Sequence, residues 1–298
     1  MKKTIVVVLI LICNISYTQE IRKYIFIGHP YNFKSYEGLF DLRCVDLELP
    51  KNYERIWLGG DVLAKSLKIK EHVEAVDVVF DISNPSNHWV MGNHDAWGFN
   101  WEWYYEICNR KTYHAHYEYD ITTIVVNTNI TPIDCEKLDD QYRMIKNVCD
   151  TISESLALIV MFHHGVWVNV PGLLSPSYYS NISKPYWNSN CFNLEQRWFS
   201  NSIYPMLKQV KERGVDVYCL MGDMGSFCKS FSGISDDGIH FLGCGLWNSA
   251  YYNQQDIDAA GKDMVLIFEH NVEERSLEFG FHDIDSLVNA YRSKSTFE

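Results

Sequence analysis

The chain of 298 residues has a formal net charge of −12, and 47% of its residues are hydrophobic and 14% aromatic. This apolar content excludes a disordered chain, and the length is sufficient for one large core, so we expect a single globular domain. The acidic balance argues against nucleic acid as the main partner, because backbone phosphates are bound by clustered Lys and Arg. Affinity for phosphate must then come from a metal ion or from local geometry.

The first 18 residues have the three parts of a secretory signal peptide. Lys2-Lys3 precedes the apolar run Ile5 to Ile12, and small residues lie just before a cleavage point at Gln19. The apolar run is too short to anchor the chain in a bilayer. We therefore expect an exported chain of residues 19–298, periplasmic or secreted, with no integral membrane segment after signal removal.

Eight of the nine cysteines would remain in the exported chain, and their spacing is not that of metal ligands. An oxidising compartment permits disulfides, but the sequence does not pair them. Cys219 and Cys244 lie in apolar, strand-like runs, where we expect them to be small buried hydrophobic residues.

Short apolar runs recur along the chain, and several are rich in Val and Ile, which predicts strands. The predicted strands are Tyr24–Ile27, Ile56–Leu58, Val76–Phe80, Trp89–Met91, Ile121–Val126, Leu156–Phe162, Val215–Met221, Ile239–Leu242, Met264–Phe268 and Leu277–Phe281. Helical patterns cover Asp139 to Ser155, Leu194 to Arg213 and Ile284 to Arg292. This alternation predicts an α/β or mixed α+β layered fold around two sheets or one large sheet.

Two aromatic clusters lie outside these elements. One is in the long irregular segment Gly165 to Asn193, and the other runs from Trp97 to Tyr105. Irregular segments of this length are usually functional. Packing under a loop explains both clusters equally well, since aromatic residues serve cores as readily as sites.

Ligand-type residues follow five of the predicted strands directly, and the carboxyl ends of strands converge on one crevice in layered α/β folds. The most informative end is Gly92-Asn93-His94-Asp95, where an amide oxygen, an imidazole and a carboxylate leave one strand together. These groups suit metal binding and phosphoryl chemistry, although a simple Asx turn would use the same residue types. The other four ends are Gly28-His29, Gly59-Gly60-Asp61, His163-His164 and Gly222-Asp223-Met224-Gly225.

In this order, the strand ends resemble the motifs of the calcineurin-like metallophosphoesterase family: Asp-x-His, Gly-Asp, Gly-Asn-His-Asp/Glu, a lone His and Gly-His-x-His. Tyr113 to Asn129 resembles the β-hairpin of the family, and Tyr204-Pro205 to Val217 resembles the helix and strand before its last motif. The resemblance covers most of the exported chain. It implies a single domain over residues 19–298, built as a four-layer αββα sandwich with two mixed β-sheets.

The resemblance also implies a role for each matching residue. Asp61 would bridge two metal ions, and Asn93 and His163 would bind the second of them. His94 would contact the phosphoryl oxygens and protonate the leaving group, which suits a side chain whose ordinary pKa is near neutrality. Asp95 would orient His94.

Two motifs depart from the family pattern. Ile27 takes the place of the first Asp, so that only His29 remains of that pair. In the last motif, Asp223 takes the place of the penultimate His, and the final His is absent. The first metal position therefore loses most of its ligands and keeps only His29 and Asp61.

The remaining set of Asp61, Asn93, His163 and Asp223 offers three oxygen ligands and one nitrogen. Such a set favours a hard divalent cation, foremost Mn²⁺, with Mg²⁺ or Fe²⁺ as alternatives. We expect one tightly held ion per chain, with the second position weak or absent.

Several residues keep a second interpretation. His29, before Pro30, fits a turn, and Asp223 fits a turn or a cap. Strand alternation points His163 and His164 to opposite sides, and we select His163 because it is the first residue beyond the strand. The histidines that we expect to be structural or at the surface are His88, His114, His116, His240 and His270, although His114 and His116 could help to line the site.

The leading functional hypothesis is an exported, metal-dependent hydrolase that acts on a small-molecule or glycan-linked phosphate mono- or diester. The altered first position favours one alternative, a non-hydrolytic pseudoenzyme that binds a phospho-ligand or a glycan on the same fold. A third hypothesis is a metal-free glycan hydrolase that uses Asp61 and Asp223 as its two carboxylates.

Overall fold

The structure, a computed structural model, describes residues 20–31, 39–63, 69–96, 101–130, 134–184, 199–224, 228–246 and 261–295. The predicted signal peptide, Trp97, Phe99 and the end of the irregular segment from 185 to 193 lie outside the described residues. No helix within the described ranges is both long enough and apolar enough to cross a bilayer.

The described strands form two sheets. The first sheet has the order β11-β10-β1-β2-β3, and the second has the order β4-β5-β6-β7-β9-β8. The strands are β1 (Ile21–Ile27), β2 (Arg55–Leu58), β3 (His88–Trp89), β4 (His114–Glu118), β5 (Ile121–Val125), β6 (Ala157–Phe162), β7 (Asp216–Met221), β8 (Ser230–Ile234), β9 (His240–Cys244), β10 (Met264–Asn271) and β11 (Ser276–Asp283). The inner strands β1 to β3, and β5, β6, β7 and β9, are parallel, whereas the outer pairs are antiparallel, so both sheets are mixed.

Helices cover the outer face of each sheet. They are α1 (Leu42–Asp46), α2 (Leu49–Asn52), α3 (Lys70–Phe80), α4 (Asn93–Ala96), α5 (Trp101–Cys108), α6 (Cys135–Thr151), α7 (Phe199–Ser202), α8 (Tyr204–Glu212) and α9 (Ile284–Ser295). Strand alternation sends successive side chains of β1 to opposite faces: Ile25 packs with α1, α3 and α9, whereas Phe26 packs between the sheets. In β6, Val160 likewise packs with α6 and α8, and Ile159 lies between the sheets. Three buried cores thus separate four layers, and the predicted αββα sandwich with two mixed sheets is confirmed.

One predicted strand is wrong. Val76–Phe80 is the end of helix α3, in which Val73, Val76 and Phe80 are buried at helical spacing while Val78 is 82% exposed. A run of neighbouring apolar residues does not by itself distinguish a strand from a helix with one buried face.

The predicted helix over Leu194–Arg213 is also divided, over its described part, into α7 and α8. Pro205 lies in the first turn of α8. N–H groups in the first turn have no acceptor within the helix, so the helix loses no hydrogen bond at proline there. The predicted burial of Cys219 and Cys244 is confirmed, and both thiols are free.

His88 joins the two sheets. Its ring is fully buried, with Nδ1 3.2 Å from Nε2 of His114 on β4 and Nε2 3.0 Å from Oγ1 of Thr123 on β5. Burial, followed by the charges of His114 and Arg110, holds the pKa of His88 well below its ordinary value. The rings of His114 and His116 both contact His88, and both residues are half-buried on the outer strand β4.

We expect the stability of the protein to fall in mild acid because of His88. The unfolded chain gains a proton at this residue below about pH 6.5, whereas the folded chain does not, so folding is favoured less as the pH decreases. For His88→Gln, the loss of unfolding free energy between pH 7 and pH 5 should be smaller than in the wild type by about 2 kcal/mol. Urea unfolding at both pH values measures this difference. An equal loss of unfolding free energy between pH 7 and pH 5 in the two proteins would contradict the prediction.

Candidate metal centre

The five predicted metal ligands come together in one place, which we call the central cluster: His29, Asp61, Asn93, His163 and Asp223. Oδ2 of Asp61 lies 3.1 Å from Nε2 of His29 and 3.4 Å from Nε2 of His163. Nε2 of His163 also lies 3.1 Å from Oδ1 of Asn93. Oδ1 of Asp223 is 3.8 Å from His163 and 3.9 Å from His29. The carboxyl ends of β1, β2, β3, β6 and β7 therefore meet at one point.

Glycines allow the ends of the two sheets to approach this closely. A Cβ atom on Gly59 would lie only 2.7 Å from Cα of Gly222, and one on Gly28 would lie 2.7 Å from the carbonyl oxygen of Gly222. At Gly92, a Cβ atom would overlap the carboxylate of Asp61. The obstructing atoms are main chain or a fixed carboxylate, so only glycine leaves room for the central cluster.

The backbone is strained at two residues of the central cluster. His29 has a φ of 56° and Asp61 a φ of 50°, in the left-handed region that side chains other than glycine seldom adopt. Two main-chain hydrogen bonds hold this conformation: N–H of His29 donates to the carbonyl of Gly60, and N–H of Tyr31 donates to the carbonyl of Asp61. Strain of this kind is typical of functional sites, where the surrounding structure enforces it.

The central cluster places two carboxylates in a buried position. Burial alone would raise the pKa of Asp61, but the charge and hydrogen bonds of His163 and His29 hold it well below its ordinary value. Burial likewise opposes the charged form of His163, but Asp61 and Asp223 raise its pKa to about 9. The two carboxylates thus favour positive charge at the centre of the cluster.

One hydrogen bond fixes the orientation of His163. Its Nδ1 lies 2.8 Å from the carbonyl oxygen of Gly59, which can only accept, so Nδ1 carries the hydrogen. Nε2 therefore faces Asp61 and Asn93. A bond from the far ring nitrogen to a carbonyl is the usual outer support of a metal-binding histidine.

The irregular segment after β6 holds the carboxylate of Asp223. N–H of Ile182 donates to Oδ2 at 2.6 Å, and Nδ2 of Asn181 donates to Oδ1 at 3.2 Å. Oγ of Ser180 donates to the carbonyl oxygen of Asp223. Asp223 is 2% exposed and faces the other ligands, which favours a place in the cluster over a simple turn or cap.

The two predicted catalytic residues differ in their surroundings. The ring of His94 is 29% exposed, with Nε2 4.0 Å from Oδ2 of Asp61, and its backbone N–H donates to Oδ1 of Asp61 at 2.8 Å. Asp95 is fully buried, and its carboxylate accepts four hydrogen bonds, from the backbone N–H groups of Val62, Leu63 and Gly92 and from Nε1 of Trp89.

These bonds join the loop after β2 to the loop after β3 and hold the backbone next to His94. The orienting role of Asp95 toward His94 stays a prediction. Burial, and then the charge of Asp61, raise the pKa of Asp95 to about 6, while its N–H donors favour the charged form.

Two further aromatic rings adjoin the site: Tyr31, which the sequence analysis did not select, and His164, the alternative to His163. The ring of Tyr31 lies against both His29 and His94, with centroids 4.4 Å and 5.2 Å apart. The ring of His164 lies 4.7 Å from that of His163. Both histidines are fully buried, and one ring nitrogen of each lies within 4.8 Å of the other. β6 ends at Phe162, and the alternation ends with it.

The arrangement can hold a metal ion. Single ligand atoms of His29, Asp61 and Asp223 lie within 4.8 Å of one another, as do those of His163, His164 and Asp223. Carboxylate oxygens and imidazole nitrogens are ordinary ligands of divalent cations. The described residues therefore include donor groups suited to such an ion.

No protein-family model and no curated protein matches this sequence. Among solved structures, the chain is similar to one described as GAP50, the anchor in the inner membrane complex of Plasmodium. The two share 11% sequence identity, and the match covers 89% of this chain and 85% of the other, with a TM-score of 0.48. At this identity and score, the similarity carries no argument about the activity of this chain.

Proposed function

We propose that this chain is an exported, metal-dependent phosphoesterase that hydrolyses a phosphate mono- or diester at the central cluster. One observation carries the proposal: five ligand-type residues from five separate strand ends form one connected group, in which each lies within 3.9 Å of at least one other. They follow the order of the calcineurin-like metallophosphoesterase motifs. Folding alone does not require two carboxylates and two histidines to be buried together, and their burial has a cost unless they bind something.

The donor set fits one hard divalent cation, foremost Mn²⁺, with Mg²⁺ or Fe²⁺ as alternatives. Asp61, Asn93, His163 and Asp223 would hold it, with His29 beside Asp61. The contacts of 3.1 to 3.9 Å between their donor atoms resemble the spacing of about 3 Å between neighbouring ligands of a single ion. This spacing supports one tight ion per chain. Such an ion supplies Lewis acidity toward phosphoryl oxygens and lowers the pKa of water.

His94 has the geometry of a proton donor to the leaving group. It is more exposed than His29, Asp61, His163 or Asp223, so a substrate can reach its ring. Its backbone N–H donates to Oδ1 of Asp61, which anchors the main chain of His94 beside the central cluster. General acid catalysis requires such a group within reach of the departing oxygen.

The irregular segment supports a substrate with an apolar or ring-bearing group. Tyr178 is 68% exposed on this segment, whereas Trp167 is fully buried and stacked on Phe231. Among the described residues of this segment, Tyr178 rather than Trp167 therefore offers an exposed aromatic ring to a small-molecule or glycan-linked phosphoester. Export is supported by the disulfide bond at Cys135, since such bonds persist in oxidising compartments.

The proposal predicts one tightly held ion per chain and hydrolysis that depends on Mn²⁺. Metal analysis of the purified protein, together with turnover on a panel of phosphomonoesters and phosphodiesters, measures both. Two tightly held ions would contradict the single-ion centre. Absence of turnover above a His94→Ala control would favour a binding protein, and activity that survives exhaustive chelation would favour a metal-free hydrolase.

A further inference from the structure

His164 has a buried ring nitrogen that the central cluster does not yet use. Its side chain is fully buried, and its Nε2 has no hydrogen-bond partner among the residues that the structure describes. Buried polar atoms nearly always have a partner, so a lone Nε2 indicates a ligand. One ring nitrogen of His164, one of His163 and a carboxylate oxygen of Asp223 lie within 4.8 Å of one another.

The orientation of His164 matches that of its neighbour. Nδ1 of His164 lies 2.5 Å from Oγ1 of Thr128, and Nδ1 of His163 lies 2.8 Å from the carbonyl of Gly59. Thr128 is itself held, because its carbonyl oxygen accepts from Nζ of Lys184 at 2.9 Å. The hydroxyl oxygen can accept from Nδ1–H, and in that tautomer Nε2 of His164 keeps its lone pair, as a metal ligand must.

We propose that His164 is a metal ligand through Nε2, beside His163 and Asp223, and that Thr128 is its outer support. The inference rests on the metal centre of the proposed function and changes its ligand set. The ion gains a second adjacent imidazole, which compensates for the histidines missing from the last motif. Imidazole suits Fe²⁺, Co²⁺ and Zn²⁺ far better than Mg²⁺, so this set discriminates against Mg²⁺.

The test compares metal binding by the full chain and three variants. Titration with Co²⁺, followed by calorimetry and by visible absorption, gives the affinity and the ligand environment. We expect His164→Gln to weaken Co²⁺ binding by more than about 100-fold and to change the absorption band, which exceeds the usual effect of losing an outer partner. Mg²⁺ binding should weaken less, so the ratio of the two affinities falls.

Thr128→Val keeps the ring and removes only its support. It should weaken Co²⁺ binding by about 10- to 100-fold. His240→Gln is the matched control, because His240 lies on β9 and stacks on Tyr218, and it should bind Co²⁺ as the wild type does.

Wild-type Co²⁺ affinity and absorption in folded His164→Gln would overturn the inference. If circular dichroism shows that this variant does not fold, the test rests on Thr128→Val. Wild-type affinity of Thr128→Val for Co²⁺ would then overturn the inference. Failure of the proposed function gives a different result: no ester is hydrolysed, while His164→Gln still weakens Co²⁺ binding.

Discussion

Asp61→Asn is expected to remove tight Mn²⁺ binding and to lower kcat/KM on any phosphoester substrate by at least about 10³-fold, the equivalent of roughly 4 kcal/mol. Asp61 is the most central residue of the cluster: Oδ2 faces His29 and His163, and Oδ1 accepts the backbone N–H of His94. Asparagine has the same size and still offers an oxygen to His94. The substitution therefore removes the charge and leaves the shape.

Thermal unfolding with and without Mn²⁺ isolates the effect on binding. At a Mn²⁺ concentration of 100 times Kd, the folded wild type should gain about 2.7 kcal/mol, and Asp61→Asn should gain almost nothing. Asp150→Asn is the matched control, since it removes the same charge from an exposed position on α6, where Asp150 pairs with Lys146. If Asp61→Asn keeps the stabilisation by Mn²⁺ that Asp150→Asn shows, the central cluster is not the metal site.

The residues of the central cluster could be predicted to lie together because the carboxyl ends of parallel strands meet at one edge of a sheet. Asp61 and Asn93 follow β2 and β3 of the first sheet, and His163 and Asp223 follow β6 and β7 of the second. Each is the first ligand-type residue after a buried strand or close to it. The place of these residues at the ends of predicted strands was therefore enough to locate them at one edge of the fold, without knowledge of any side-chain contact.

Elements without an alternating pattern could not be predicted in this way. Strand β8 contains Ser230, Ser232 and Gly233 and has little apolar signal, yet it pairs with β9 along its whole length. Helix α3 ends in the apolar run Val76–Phe80, which is also strand-like. In both cases, whether the segment forms a strand or a helix depends on which of its side chains the neighbouring layer buries. Local propensity does not contain that information.

The hydrogen bonds that hold the residues of the site in place could not be predicted from the sequence either. Asp223 is held by a backbone N–H of Ile182, and Asp95 accepts backbone N–H groups from two loops. Every residue except proline carries a backbone N–H, so such donors leave no mark in a sequence. The choice between His163 and His164 stays a prediction for a related reason: beyond the end of β6, strand alternation no longer determines where a side chain points.

His94→Ala is expected to lower kcat by about 10²- to 10⁴-fold and to leave metal content nearly unchanged. The backbone N–H that donates to Asp61 remains in alanine, so the central cluster keeps its geometry. Only the ring is lost, and with it the proton donor for the leaving oxygen. The loss should depend on the ester: an alkyl phosphate, whose alkoxide is a poor leaving group, needs the proton more than an aryl phosphate with an acidic phenol.

Rates on an alkyl and a nitrophenyl phosphate therefore test the role of His94 directly. The rate on the alkyl phosphate, divided by the rate on the nitrophenyl phosphate, should fall steeply in His94→Ala. The same ratio should stay at its wild-type value in His282→Ala, which removes an exposed ring from β11. An equal loss on both esters would mean that His94 binds phosphoryl oxygens without donating the proton. Loss of the metal ion from His94→Ala would instead make the ring part of the metal site, because the backbone contact to Asp61 is the same in both proteins.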